Sequence, residues 1–183
     1  MSKAVLISIR PKWCELIASG KKTIEVRKTR PKIETPIKCY VYCTKDAPLI
    51  YCRPSQQIGN GKVIGEFMCD EISRYALVGI RRERTCYRSF NGLTFSDGIN
   101  YQAIGLTESE LTEYGDGKAI FGWHISGLKI YDQPRKMSEF RRACPESLYC
   151  EGCAMWSEQR GCGNAALQIT RPPQSWCYVE ELT

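Results

Sequence analysis

The stretch that most constrains this chain is a change of period between Pro11 and Arg27. Trp13, Leu16 and Ile17 recur at helical spacing behind Pro11, whose fixed φ suits a first helical turn. Gly20 offers the left-handed stop expected just past a last turn. Thr23-Ile24-Glu25-Val26-Arg27 then alternates with period two. A short helix over about residues 11–19 therefore feeds into a strand. Ile24 and Val26 turn towards a core, leaving Thr23, Glu25 and Arg27 on the face where chemistry would sit.

The flanks supply the rest of a small α+β domain. Residues 4–10 form a β-branched run that reads as a buried strand, and 37–44 and 61–72 give two more, separated by a Pro/Gly-punctuated loop. Residues 76–106 read as irregular. Thr107 and Glu110 have the spacing of a capping box, predicting a helix to about Tyr114. Strand pattern returns over 118–131, where Gly122 and Gly127 suit the bends of a barrel corner. The expected fold is α+β, a small mixed β-barrel with two or three short helices, followed by a cysteine-rich C-terminal appendage.

Composition narrows the setting. Neither an export leader nor an apolar run of membrane-spanning length occurs, which predicts a cytoplasmic protein without a membrane partner. Eleven cysteines, an odd number, argue against a secreted disulfide framework and for reduced thiols or a metal. A formal charge of +6 favours a polyanion such as nucleic acid.

Ser8-Ile9-Arg10-Pro11, followed by Gly20-Lys21-Lys22-Thr23-Ile24-Glu25-Val26-Arg27, resembles the signature of the ASCH-domain family. Gly61-Lys62-Val63-Ile64-Gly65-Glu66-Phe67 and Ile120-Phe121-Gly122-Trp123-His124-Ile125 follow in the order that resemblance expects, so it spans about residues 3–137. It implies a PUA-like β-barrel whose G-K-K-x-x-E-x-R segment lines a cleft, and a role in binding RNA, in nucleoside-amide hydrolysis or in RNA cleavage. In the hydrolase branch the signature lysine works with a threonine three residues later and a downstream glutamate. Lys22 matches that lysine, but Glu25 stands at the threonine position and Gln102 near the glutamate, so the triad is incomplete here.

The residues can also be weighed directly. Arg10, Trp13, Lys21, Lys22, Glu25 and Arg27 form the candidate RNA-binding set: cations for phosphate, Arg27 for paired hydrogen bonds, Trp13 for stacking. A solvated charged turn, or a Glu25–Arg27 ion pair, is the plain alternative. Were the protein an enzyme, Lys22 and Glu25 would be its acid–base pair, provided that Lys22 had a depressed pKa. Tyr40, Tyr42 and Trp123 are further stacking candidates that serve equally as core. Arg81, Arg82, Arg84 and Arg88 interleave with Tyr87 and Phe90, a mixture suited to single strands or to a solvated loop. The single histidine, His124, reads as a strand residue rather than a catalyst.

Cys144, Cys150, Cys153 and Cys162 form the candidate metal set, because the two-residue gap of Cys150–Cys153 lets both thiolates grip one tetrahedral ion. The expected cofactor is one structural zinc, with an iron–sulfur cluster or free thiols as alternatives and no organic cofactor. Residues 165–169 and 175–179 read as short strands returning to the barrel, and Cys177 as a buried thiol. The division expected is a barrel domain over 1–137 and a zinc-knot tail over 138–183. The leading function is a module binding single-stranded RNA or a modified nucleotide. The alternatives are a Lys22/Glu25 nucleoside-amide hydrolase or ribonuclease, and a protein-interaction adaptor using the knot.

Overall fold

The structure, a computed structural model, describes residues 2–45, 61–80, 84–90, 95–96, 98–144, 152–157 and 161–182. The chain divides into two compact units. One comprises Met1–Pro11, Lys38–Glu66 and Ile130–Thr183, the other Lys12–Ile37 and Phe67–Lys129.

The first unit is organised by β1 (Lys3–Ile9), the apolar run expected to be buried; from Ala4 onward every residue of it is buried. Its neighbours are β3 (Ile37–Cys43), parallel, and β12 (Trp176–Glu180), antiparallel, with Leu6 opposite both Tyr40 and Cys177. The sheet order is β12-β1-β3-β4-β9, with β4 at Lys62–Cys69 and β9 at Ser126–Arg135. Tyr40, Tyr42 and Phe140 pack with Ala4, Leu6 and Val179 in one apolar cluster, Tyr40 meeting Phe140 edge-on at 5.0 Å. Tyr40 and Tyr42 are thus core residues, not stacking platforms.

The second unit begins with α1 (Pro11–Ala18) and β2 (Ile24–Arg27). Between them Gly20 adopts φ 72°, the left-handed stop read from the sequence. Its sheet runs β2-β8-β5-β6-β7, antiparallel throughout: β5 is Ile72–Ile80, β6 Arg84–Phe90, β7 Phe95–Ser96 and β8 Ile120–His124. Helices α2 (Tyr101–Ile104) and α3 (Glu108–Gly115) contribute Ile104 and Leu111 to an apolar cluster with Ile24, Val26, Tyr75 and Ile120. The capping box forms as expected, the Thr107 side chain accepting from Glu110 N while the Glu110 carboxylate accepts from Thr107 N.

Two expectations are corrected here. The α+β class holds, but the described strands form two five-stranded sheets rather than a closed barrel. Closure needs an edge with a ladder to offer, and the second sheet ends on a four-residue and a two-residue strand. The stretch expected to be irregular holds the β5–β6 hairpin, paired from Arg74↔Phe90 to Ile80↔Arg84. Alternating arginine and aromatic residues there follow strand pairing rather than loop composition. No helix among the described residues is long and apolar enough to cross a membrane.

Candidate functional site

The signature segment is built around a buried lysine. The backbone leaves α1 with Lys22 N bonded to Leu16 O, and Thr23 N bonds to Ala103 O of α2. Asn100 caps α2 by accepting from Ala103 N, and Gly105, at φ 73°, closes it. A Cβ on Gly105 would be in ordinary van der Waals contact with Trp13 and Leu16, at 3.5 Å from each, and with the Lys22 stem at 3.7 Å, so the end of α2 lies against α1 beside Lys22.

Lys22 is 3% exposed and Glu25 4%. The ammonium of Lys22 donates to Ile24 O at 2.8 Å and to Ile104 O, and faces Glu25 Oε2 at 3.3 Å. Two donors of the ammonium thus meet carbonyl oxygens, while Glu25 Oε2 is held to it by charge and accepts no hydrogen bond. Burial pushes the Lys22 pKa down; Glu25 opposes the shift and Arg27 adds to it. Glu25 Oε1 meets Arg27 Nη2 at 3.1 Å, so one carboxylate bridges two cations. The ion pair weighed in the sequence is present, and extends to a third member.

Trp13 is half-buried, with Lys12 Nζ 4.6 Å and Lys22 Nζ 5.3 Å from its ring centre. Lys21 is exposed. Arg10 is exposed and belongs to the other unit. The structure therefore gathers Trp13, Lys22, Glu25 and Arg27, while Lys21 faces solvent.

Next to this segment lies a pocket of about 430 Å3, lined by Thr23, Ile24, Asp70, Ser73, Tyr75, Asn100, Ala103 and His124 among others. The pleat of β2 explains the arrangement: Ile24 faces this pocket, and Glu25 the opposite side of the sheet. Ser73 lies opposite Gly122 in the β5–β8 pair, which sets its side chain diagonal to His124 on one face. Ser73 Oγ is 2.8 Å from His124 Nε2 and 3.1 Å from Glu71 Oε1, and the same Glu71 oxygen stands 4.0 Å from Nε2. His124 N donates to Glu71 O at 3.0 Å, fixing the strand end that carries the imidazole. Burial pushes the Tyr75 phenol up, and a hydrogen bond with Ser73 counters it.

His124 is a strand residue, as read, but sequence reasoning did not bring Ser73 and Glu71 beside it. Nothing in the local pattern marks a serine and a histidine 51 positions apart as neighbours. Only the β5–β8 register does.

Other expected site residues separate. Trp123 is fully buried, Gln102 is exposed, and Tyr87 is buried with its hydroxyl donating to Lys118 O at 2.5 Å. Arg81 and Arg82 lie outside the described residues, as does Cys150. Among the described residues no group of three metal-ligating side chains is found. Cys162 instead sits opposite Trp156 in a two-strand ribbon, β10 (Trp156–Ser157) with β11 (Gly161–Cys162). Cys177 is a buried thiol, as read, and Cys69, also buried, has its pKa pushed up to about 12.

The first sheet, the second sheet and the buried Lys22 segment together define a PUA-like protein of α+β class. Residues 7–93 match the model of the ASCH domain, so this segment of the chain carries an ASCH domain. A tyrosine-to-phenylalanine mutant of ZmASCH from Zymomonas mobilis superposes with a TM-score of 0.53 at 18% identity, covering 98% of this chain and 92% of that one. The ASCH protein of the same organism gives 0.48 at 20% identity, covering 97% and 88%. The first of these likenesses concerns the fold alone. No curated protein matches the sequence.

Proposed function

We propose that this chain binds RNA, as a single strand or a modified nucleotide, by seating one nucleoside in the pocket beside Thr23. PUA-like domains of the ASCH kind generally associate with RNA, and the net charge of +6 suits a polyanion. The observation that carries the reading is the pocket itself. Its volume of about 430 Å3 lies within the roughly 300–1,000 Å3 of small-ligand sites. Thr23, Ser73, Asn100 and His124 offer it hydrogen-bonding groups of both kinds. A carboxylate, Asp70, lines it, and no lysine or arginine does among the described residues. That lining suits an uncharged base and sugar, leaving phosphates to exposed cations such as Lys12 and Lys21. Lys22 and Glu25 then act by holding the segment in shape, because each is turned towards its own partners.

The reading is tested by fluorescence anisotropy with single-stranded RNA and a duplex of matched length. Single strands should bind more tightly, since a base must leave its stack to enter. Affinity should fall with salt at a slope of about −0.7 per phosphate contact. Equal affinity for the two forms, or none for either, removes the reading.

One observation favours a lysine-based hydrolase or ribonuclease, namely that burial lowers the Lys22 pKa. Acylated cytidines and short RNAs incubated with wild type and Lys22→Arg, followed by chromatography, separate the two. Turnover by wild type that disappears in a folded Lys22→Arg variant selects the enzyme.

A further inference from the structure

We propose that Ser73 and His124 are a nucleophile–base dyad, and that the pocket they line hydrolyses small uncharged carboxylic esters. The inference rests on this pocket being a ligand site, as in the reading above, but needs no RNA.

The serine is placed unlike the nearby Ser126. Ser126 Oγ donates to the carbonyl of Met68 at 3.0 Å, a backbone bond that settles a strand serine. Ser73 Oγ instead meets ionisable side chains, His124 Nε2 at 2.8 Å and Glu71 Oε1 at 3.1 Å. Both Ser73 and His124 line the pocket, so a bound carbonyl can reach the oxygen.

The hydroxyl has one proton and two acceptors. With the imidazole proton on Nδ1, Ser73 donates to Nε2 and is poised to react; with it on Nε2, the imidazole donates to Oγ and the serine turns to Glu71. In the reactive arrangement Oγ attacks the carbonyl carbon, forming an O–C bond, while its proton passes to Nε2. The carbonyl π pair moves onto oxygen. That pair returns as the C–O bond to the alcohol breaks, and Nε2–H protonates the departing alkoxide. Water then attacks the acyl-serine, gives its proton to Nε2, and releases the acid as Ser73 recovers its hydrogen. The Glu71 carboxylate, 4.0 Å from Nε2, stabilises the imidazolium that forms in each half. Tyr75 lines the same pocket, and its hydroxyl is a donor available to the developing oxyanion. Asp70 and Glu71 repel anionic acyl donors, which confines the substrates to neutral ones.

The test uses the full chain with p-nitrophenyl acetate, and separately with phenylmethylsulfonyl fluoride followed by peptide mass mapping. Hydrolysis above buffer is expected, with the sulfonyl group on Ser73. Ser73→Ala and His124→Gln should each lower the rate by about 10²- to 10⁴-fold. Ser73→Ala deletes one oxygen, so its melting curve shows whether the fold is kept. The dyad is overturned if wild type is not modified at Ser73, or if folded Ser73→Ala hydrolyses the ester as wild type does. The RNA titration is scored apart: modification of Ser73 without RNA binding removes only the binding reading, and RNA binding without modification removes only the dyad.

Discussion

Two groups of ionisable residues lie at the second sheet, one around Glu25 of β2 and one around Ser73 of β5, and they differ in how far they are shut away from a ligand. Lys22, Glu25 and Arg27 form a nearly dry trio in which the lysine meets two carbonyl oxygens and the carboxylate two cations. Ser73 and His124 line a pocket, and with Glu71 they share one hydroxyl proton between two acceptors. Burial among partners of opposite charge marks a group that holds the fold; a hydroxyl with two acceptors beside a pocket marks one that can act on a ligand. The family signature falls on the first group, and the chemistry we propose on the second.

The comparison breaks most readily at Lys22. Removing one partner of a buried ion pair strands the others, so Lys22→Ala should cost about 3–5 kcal/mol of unfolding free energy. Lys22→Arg should not restore it, because a planar guanidinium cannot meet the same partners. Ser73→Ala should cost no more than about 1 kcal/mol, the net worth of one hydrogen bond. Urea denaturation of the three variants measures the contrast, and similar losses at the two positions would dissolve it.

The floor of the pocket comes next. A Cβ on Gly122 would stand 2.6 Å from the Tyr75 hydroxyl and 2.9 Å from Ile24 Cγ2. Gly122→Ala should therefore cost about 1–3 kcal/mol by overpacking and displace Tyr75 from the site. Near-ultraviolet circular dichroism with urea melts reads both effects.

A smaller effect is expected at Thr23, which lines the pocket. Thr23→Val should weaken single-stranded RNA binding by on the order of 1 kcal/mol, about fivefold, with little change in melting temperature. Unchanged affinity would move the ligand elsewhere.

The smallest concerns Glu110, whose pKa is lowered by its bonds to Thr107. A depressed folded pKa contributes stability above the unfolded carboxylate range, and that contribution is lost as pH falls through the folded value. The melting-temperature gap between wild type and Glu110→Gln should thus be present at neutral pH and close as the solution is acidified below the usual carboxylate range. The residue is exposed and stands apart from both ionisable groups, so it serves as a control for purely local charge effects.

Some of this was readable from residues alone, because local rules decide it. Pro11 and Gly20 bracket α1, and Thr107 with Glu110 announces α3. Ile24 and Val26 declare the inward face of β2. What the sequence concealed depends on pairing between distant strands. Ser73 and His124 meet only through the β5–β8 register, and the β5–β6 hairpin hides behind arginines that composition assigns to a loop. Lys22 reads as one more surface lysine until α2 supplies the carbonyl of Ile104 that makes its burial tolerable.

The antiparallel pairing of β12 with β1, with Glu180 opposite Lys3, also bears on the order in which the chain can fold. During synthesis the residues of the second unit, ending at Lys129, emerge before the strand that completes the first. At about 5–20 residues per second, β1 waits several seconds for its last neighbour with one edge unpaired. Such an edge of apolar residues is a template for another chain. Truncation before Trp176 should therefore show up as aggregation of the nascent protein rather than as the loss of a dispensable tail.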